Sequence, residues 1–317
     1  MNAVAYGGSG GMSTDATKPF LAARPPAVRV QSILYGNDKD SLFRAVDALV
    51  QSVGCARARG LCARVELAYG DSSATPVLDA DDIASIQRQL PFRYAFFAEN
   101  KGSARGHNTI AEGCEADFLL IMNPDVVVGA QTVLRLLLPF QSAGVGMTEA
   151  KQIPIEHPKS YDKLTGETGW AATACAMIPR VLFEALQGFD AASFFLYCDD
   201  VDFSWRVREA GFRVIYQPAA IAFHDKRLAA DATWISSTAE RYYSAEAALM
   251  MAHKWSRNDV LARVLRQFRR SGIAELERAA KAFVARKQAG TLPPPRDAHH
   301  RIGQFVQGRY ASHRYQL

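Results

Sequence analysis

Short apolar runs alternate with amphipathic stretches through the first two-thirds of the chain. Val28–Gly36 (VRVQSILYG) reads as a first buried strand and Ser41–Val53 as an amphipathic helix. Cys62–Gly70 is a second strand closed by the turn-forming GDSS, Asp82–Leu90 a short helix, and Arg93–Asn100 a third strand. Ser103–Cys114 is helical, and Asp117–Asn123 (DFLLIMN) is a fourth strand. Gly169–Pro179 is a further buried strand, followed by a short helix over Arg180–Leu186. Asp199–Ala210 is a helix with Asp202 and Arg206 spaced as an i,i+4 ion pair. Phe212–Pro218 and Ala220–Phe223 are strand-like. This alternation predicts an α/β fold: a mostly parallel central sheet flanked by helices, with right-handed crossovers.

From Thr233 onward the pattern becomes helical. Leu261, Val264, Leu265 and Phe268 form one apolar stripe, and Ile273, Leu276, Ala280 and Phe283 another, until TLPPP (Thr291–Pro295) breaks it. The chain thus divides into a flexible leader (1–27), an α/β domain (28–228), a helical extension (229–290) and a basic tail (291–317) with no periodic pattern. No internal repeat is visible.

The 317 residues are 49% hydrophobic, enough for a large core. No apolar run approaches the roughly 18–20 residues of a membrane-spanning helix. The N-terminus lacks a basic start and an apolar block, so it does not read as a secretory signal. Its GGSGG reads as linker, since no strand precedes it. Cys55, Cys62, Cys114, Cys175 and Cys198 show no CxxC spacing and read as small core residues in a reducing cytoplasm. Charge is uneven. From Lys254 to the end there are 14 Lys and Arg against 4 Asp and Glu, whereas the rest carries 23 against 28. An acidic-leaning body with a basic tail suggests that the tail meets something anionic.

In open α/β sheets ligands lie beyond the carboxyl ends of the strands. That rule singles out Asn37, Asp71, Asn100 and the Asn123–Asp125 turn, all polar residues directly after apolar strands. In IMNPDVVV, Pro124 stops sheet pairing and leaves Asp125 at a strand end. A carboxylate there suits Mg²⁺ or Mn²⁺ held against a diphosphate; turn chemistry alone also explains Asn-Pro-Asp. The acidic CDDVD after FFLY is either helix capping at Asp199 and Asp200 or a general base between apolar walls. His224, at a strand end after CDDVD, is either structural or a metal ligand.

In order, LYGND, YGDSS, AENKGSARGHN, LLIMNPD, GWAATACAMIPR and GFDAASFFLYCDDVDFSWRVREAGFRVIYQPAAIAFH resemble the family 2 glycosyltransferases. The likeness is greatest to the bacterial rhamnosyltransferase-like branch that builds surface polysaccharides. It runs from about Val28 to His224, with a looser echo in RYYSAEAALMMAHKW (Arg241–Trp255). The resemblance implies the GT-A nucleotide-sugar-binding fold. It also implies inverting transfer of a sugar from a nucleotide diphosphate, dTDP-L-rhamnose before a UDP-hexose, to an acceptor hydroxyl. The implied acceptor is a glycan or a lipid-linked glycan.

By that resemblance Asp71 receives the pyrimidine base with Tyr35 and Asn37 lining its pocket. Asn100, Gly102 and Asn108 run along the ribose and diphosphate. Asn123 and Asp125 stand in place of the DxD motif, so Asp125 binds metal, approached by His224. Asp200 is the general base, Asp199 stands where Glu is usual, and Trp170 lies near the acceptor. Thr173 in place of Gly and Pro179 in place of a basic residue put the sugar's identity in doubt more than the reaction.

A sugar-1-phosphate nucleotidyltransferase would carry a Gly-rich basic loop after the first strand, where LYGNDKD stands. A non-catalytic carbohydrate-binding protein would need neither base nor metal position. The arginines accompanying the first C-terminal stripe leave three readings: a solvated face of a packed helix, contact with an anionic membrane, or contact with a partner subunit, such as a second copy, or nucleic acid. No recognised nucleic-acid module is present. The expected location is cytoplasmic, with peripheral contact at the inner membrane face as an extension of the second reading.

Overall fold

The computed structural model describes residues 14–21, 24–156, 159–224 and 237–306. The α/β core begins β1 (Ala27–Leu34), α1 (Lys39–Ala58), β2 (Arg64–Asp71), α2 (Ala80–Gln87), β3 (Phe92–Phe96), α3 (Gly102–Ala111) and β4 (Phe118–Met122). It continues β5 (Val126–Val128), α4 (Thr132–Leu137), β6 (Val145–Ile153), β7 (Glu167–Thr168), β8 (Cys175–Pro179), α5 (Arg180–Ala185), α6 (Asp199–Glu209) and β9 (Arg213–His224). Three helices follow: α7 (Thr238–Lys254), α8 (Asn258–Arg269) and α9 (Ala274–Gln288).

Among the described residues the strands form one sheet in the order β3-β2-β1-β4-β8-β6-β9-β5, with β7 also on β9. The first four are parallel, as their βα alternation requires. Beyond β4 the sheet is mixed: β8 runs antiparallel between β4 and β6, β9 is parallel to β6, and β5 is antiparallel on β9. The expected parallel sheet is therefore one half of a larger mixed one.

Pro124 explains one consequence. β4 and β5 are separated by residues 123–125 alone, yet three strands lie between them in hydrogen-bond order. A flat sheet would put them about 19 Å apart, more than the roughly 14 Å that four chain steps can span. The sheet must curl, and the curl brings the Asn123–Asp125 turn to the end of β9.

The third strand ends at Phe96 rather than Asn100, because Ala98 takes a positive φ of 55° and turns the chain out of the pleat. The two strand-like segments after Phe212 are one strand, β9, with its register against β6 shifted between Gln217 and Ile221. The described part of the leader is not loose. Phe20 and Leu21 are buried in the main core, Phe20 lies 5.5 Å from the Phe212 ring, and the Leu21 N–H donates to Phe140 O at 3.0 Å. The described part of the tail is also packed: Phe305 lies 5.4 Å from Trp205, and Arg208 Nη1 donates to Ile302 O at 2.8 Å. The GGSGG stretch, the start of the helical extension at 229–236 and the tail's end at 307–317 lie outside the described residues.

A second apolar cluster joins Trp170, Phe194, Val201 and Trp205 to Leu249, Trp255 and Phe283 of the C-terminal helices. Ile273, expected in the second stripe, is exposed as the residue capping α9. The five cysteines are free thiols and all but Cys55 are buried. Among the described residues no helix is long and apolar enough to cross a membrane.

Candidate active site

At the carboxyl ends of β1 and β2, Leu34 pairs with Asp71. Beyond Leu34, Asn37 Oδ1 accepts the Tyr35 N–H at 2.8 Å, and the Gly36 N–H donates to Ser73 Oγ at 2.8 Å. The Tyr35 ring is 66% exposed. Asp71 is fully buried and accepts from the Ser73 and Val77 N–H groups at 2.8 Å and from the Tyr94 hydroxyl. Burial alone would raise its carboxyl, but these donors hold it below the ordinary value. Asp71 therefore organises the loop around the expected base pocket. Asn100 Oδ1 accepts the Gly102 N–H at 3.0 Å. Gly102 has φ +67°, and a Cβ there would sit 2.3 Å from Phe195 O, so glycine alone fits.

Asn108 Oδ1 accepts the Phe189 N–H at 2.9 Å and its Nδ2 donates to Phe189 O at 2.8 Å. Both ends of the amide clamp the turn at Gly188, a contact within the fold.

The expected metal side forms where the turn between β4 and β5 meets the end of β9. The Asn123 N–H donates to Ala174 O at 3.0 Å, and Val126 pairs with His224. That register sets Asp125 Oδ2 3.6 Å from His224 Nε2, with Asn123 Nδ2 3.4 Å from the same nitrogen. On the ring's other side Nδ1 lies 3.2 Å from Gln152 Oε1. That oxygen accepts from Nδ1, which leaves Nε2 as the ring nitrogen facing Asp125. The side chains are 35% and 13% exposed. A carboxylate oxygen facing an imidazole lone pair is unfavourable until a proton or cation lies between them. Among the described residues no three metal-ligating side chains cluster. One carboxylate and one imidazole nevertheless fit a cation that takes its remaining ligands from water and phosphate oxygens.

The base side is built on α6. Tyr197 and Cys198 have φ of +67° and +61°, two consecutive left-handed non-glycine residues directly before Asp199. Such strain persists only where surroundings hold it. Here the Phe195 ring stacks on Tyr243 at 4.6 Å, and Phe195 O accepts the Ser103 N–H at 2.9 Å. Asp199 Oδ2 accepts from Ser103 Oγ at 2.7 Å, tying α3 to α6. Asp200, 4% exposed, accepts the Val201 N–H at 2.8 Å in the helix's first turn, where free N–H groups favour a carboxylate.

Trp170 is buried beside this helix. The Ala171 N–H donates to Ser204 Oγ at 3.0 Å, and Ser204 Oγ donates to Asp200 O at 2.8 Å. One short segment, residues 170–174, is thus bonded at one end to the Asp200 helix and at the other to Asn123. Strand β6 makes the same link: Glu149 lies within electrostatic reach of Asp200, and Gln152 holds His224. At the rise of a strand these two β6 positions are about 10 Å apart along the chain. Ser103, Glu149, Gln152 and Lys159 were not singled out from sequence. Their one visible signal was a Glu and a Gln inside the buried run VGMTEAKQI.

No family model matches the sequence. Over 58 residues the chain is 36% identical to the N-acetylglucosaminyl-diphospho-decaprenol L-rhamnosyltransferase of Mycobacterium tuberculosis, covering 18% of this chain and 19% of that one. Over 176 residues it is 25% identical to the pre-mycofactocin glycosyltransferase of the same organism, covering 50% of this chain and 36% of that one. The chain thus spans about a fifth and about a third of these curated relatives. Among solved structures, GalNAc-T7 with UDP, GalNAc and Mn²⁺ superposes with a TM-score of 0.61 at 13% identity, covering 86% of this chain and 60% of that one. The mannosyltransferase PcManGT of Pyrobaculum calidifontis with GDP-Man and Mn²⁺ gives 0.55 at 17%, covering 89% and 79%. With its curled sheet, its strand-end Asp125 and its sequence likeness to two glycosyltransferases, the chain has the fold of the GT-A glycosyltransferases.

Proposed function

We propose that the protein is a metal-dependent, inverting glycosyltransferase that moves a sugar from a nucleotide diphosphate to an acceptor hydroxyl in cell-envelope glycan assembly. The observation that carries this reading is the double link, through residues 170–174 and β6, between the Asp125–His224 pair and Asp200. Asp200 accepts the acceptor's proton as that oxygen bonds to the anomeric carbon. The bond from that carbon to the diphosphate oxygen breaks, and the diphosphate leaves with the electron pair. Asp125 and His224 would hold Mg²⁺ or Mn²⁺, which supplies positive charge to the leaving diphosphate. Buried Trp170 walls the acceptor side, and the loops of Tyr35–Asn37, Asp71 and Asn100–Gly102 border the nucleotide.

A dTDP-L-rhamnose donor and a lipid-linked acceptor are favoured by the matched segment of the rhamnosyltransferase. A UDP-hexose is the second reading, supported by the UDP-bound structural relative. The exposed Arg266, Arg269 and Arg270 beside half-buried Val264, Leu265 and Phe268 support contact between α8 and an anionic membrane face carrying such an acceptor. The test incubates the protein with dTDP-L-rhamnose, UDP-glucose, UDP-N-acetylglucosamine and GDP-mannose, with Mn²⁺, Mg²⁺ or EDTA. Metal-dependent nucleotide release is expected, fastest from dTDP-L-rhamnose. A faster UDP-sugar would replace the donor only; neither binding nor release with any donor would refute the enzyme reading.

A further inference from the structure

One buried charge pair in the site has no assigned use. Lys159 Nζ forms an ion pair with Glu149, and the two side chains are 4% and 2% exposed. The same ammonium donates to Trp170 O at 3.2 Å and lies 3.9 Å from the centre of the Trp170 ring. An apolar pair of similar volume generally stabilises a fold as well as a buried ion pair does. This pair sits between the indole expected to wall the acceptor and the carboxylate expected to act as base.

We infer that Lys159 and Glu149 are positioning residues: Lys159 fixes Trp170, and together the pair sets the charge that Asp200 faces from the β6 side. This rests on the glycosyltransferase reading of the site. Among the described residues, the neighbouring acidic and basic groups have partners of their own. On α6 itself, Asp199 takes Ser103, the group that α3 presents, while Asp202 takes Arg206 at 2.8 Å. From α7, Lys254 bridges Asp202 at 2.7 Å and Asp190, in the loop before α6, at 2.6 Å. On the β6 side, Glu149 and Lys159 balance each other. Burial raises the Glu149 carboxyl, Lys159 opposes that, and the negative charge of Asp200 adds to the rise. The coupling between the two carboxylates is reciprocal, so removing either member of the pair changes the field at the base, in opposite senses.

The experiment measures nucleotide release, with water as acceptor, from whichever tested nucleotide sugar the wild type cleaves fastest with Mn²⁺. It is run from pH 5 to 9 on Glu149→Gln, Lys159→Met, Lys159→Arg and the double variant Glu149→Gln/Lys159→Met. In Glu149→Gln an uncompensated cation faces the base, so the acid limb of the rate profile moves to lower pH. In Lys159→Met an uncompensated carboxylate faces it, and the limb moves to higher pH. Each shift is on the order of one pH unit. The double variant returns toward wild type, Lys159→Arg keeps the wild-type limb, and nucleotide affinity by calorimetry stays within about twofold throughout. General structural damage would not split the two single variants in opposite directions. Limbs that move together, or stay fixed while nucleotide binding is intact, overturn the inference. Should Lys159→Met fail to bind nucleotide, the shift in Glu149→Gln and its reversal in the double variant, which leaves no unpaired buried charge, decide the matter. A wild type that neither binds nor cleaves any donor refutes the enzyme reading itself, a result distinct from these.

Discussion

The Asp125–His224 pair and the Asp200 helix flank the same short segment, yet they are built differently. Asp125 and His224 sit at strand ends, partly open, held by neutral amides from Asn123 and Gln152. Asp125 Oδ2 and His224 Nε2 lie 3.6 Å apart, and the proposed reading puts a cation against them. Asp200 lies in a buried helix turn near the Glu149–Lys159, Asp202–Arg206 and Asp202–Lys254 ion pairs. The first half is partly open and is expected to receive a ligand; the second is packed within the folded chain. Substitutions in the first half should therefore act on binding with little effect on folding. In the second, the base itself should act on turnover, and its supporting charges on stability.

The largest effect is expected at the base. Asp200→Asn keeps the shape and the bond to Val201 but cannot take a proton, so transfer falls by about 10²–10⁴-fold while nucleotide affinity is kept. Turnover near wild type would remove Asp200 from the mechanism. On the metal side, Asp125→Ala should weaken Mn²⁺-dependent nucleotide binding by roughly tenfold or more, with an unchanged melting temperature. A Mn²⁺ titration by calorimetry that superposes on wild type would show that Asp125 is not a ligand.

Lys254 gives the next test, now on stability. Its ammonium bridges Asp190 and Asp202, and the Trp255 indole N–H also donates to Asp202 at 3.1 Å. Lys254→Met leaves fully buried Asp202 with Arg206 and Trp255 but strips Asp190 of its partner. Breaking a buried pair from one side costs about 3–5 kcal/mol, read as a lower denaturant midpoint with unchanged slope. A loss below about 1 kcal/mol would mean that the C-terminal helices are not coupled to the base helix through this lysine.

The same contrast explains what was legible in the sequence. The first four strands and their helices follow from the alternation of apolar runs with amphipathic stretches: β1, β2 and β4 are largely buried, and β3, though mostly exposed at the sheet edge, follows a helix as β2 and β4 do. Asp125 and His224 were visible because Pro124 and a strand end mark them. Residues 126–168 gave no such signal: β5 has three residues, β7 two, and β6 hides Glu149 in an apolar run. Lys159 reaches the site from a connection whose path depends on tertiary contacts, so no local pattern reports it. The clamp that Asn108 makes on Phe189 was not legible, because a polar residue on a helix looks the same in sequence whether it serves ligand or backbone.

The smallest effect separates a histidine of the fold from one of the site. His224 sits at the rim beside Asp125, whereas His107 on α3 is buried, with its Nδ1 3.4 Å from Gln31 Nε2 and its ring 6.0 Å from Phe189. Burial pushes His107 down to about 3. In the unfolded chain the imidazole titrates near 6.5, so between these values the unfolded state binds a proton that the folded state refuses. Stability is therefore fully present above pH 6.5 and falls as pH drops toward 3. From pH 7 to 5.5 this one group removes about 1.3 kcal/mol. Urea unfolding at both pH values should show a loss in the wild type that is smaller by about that amount in His107→Gln. Equal losses in His107→Gln and wild type would mean that His107 takes up its proton in the folded state.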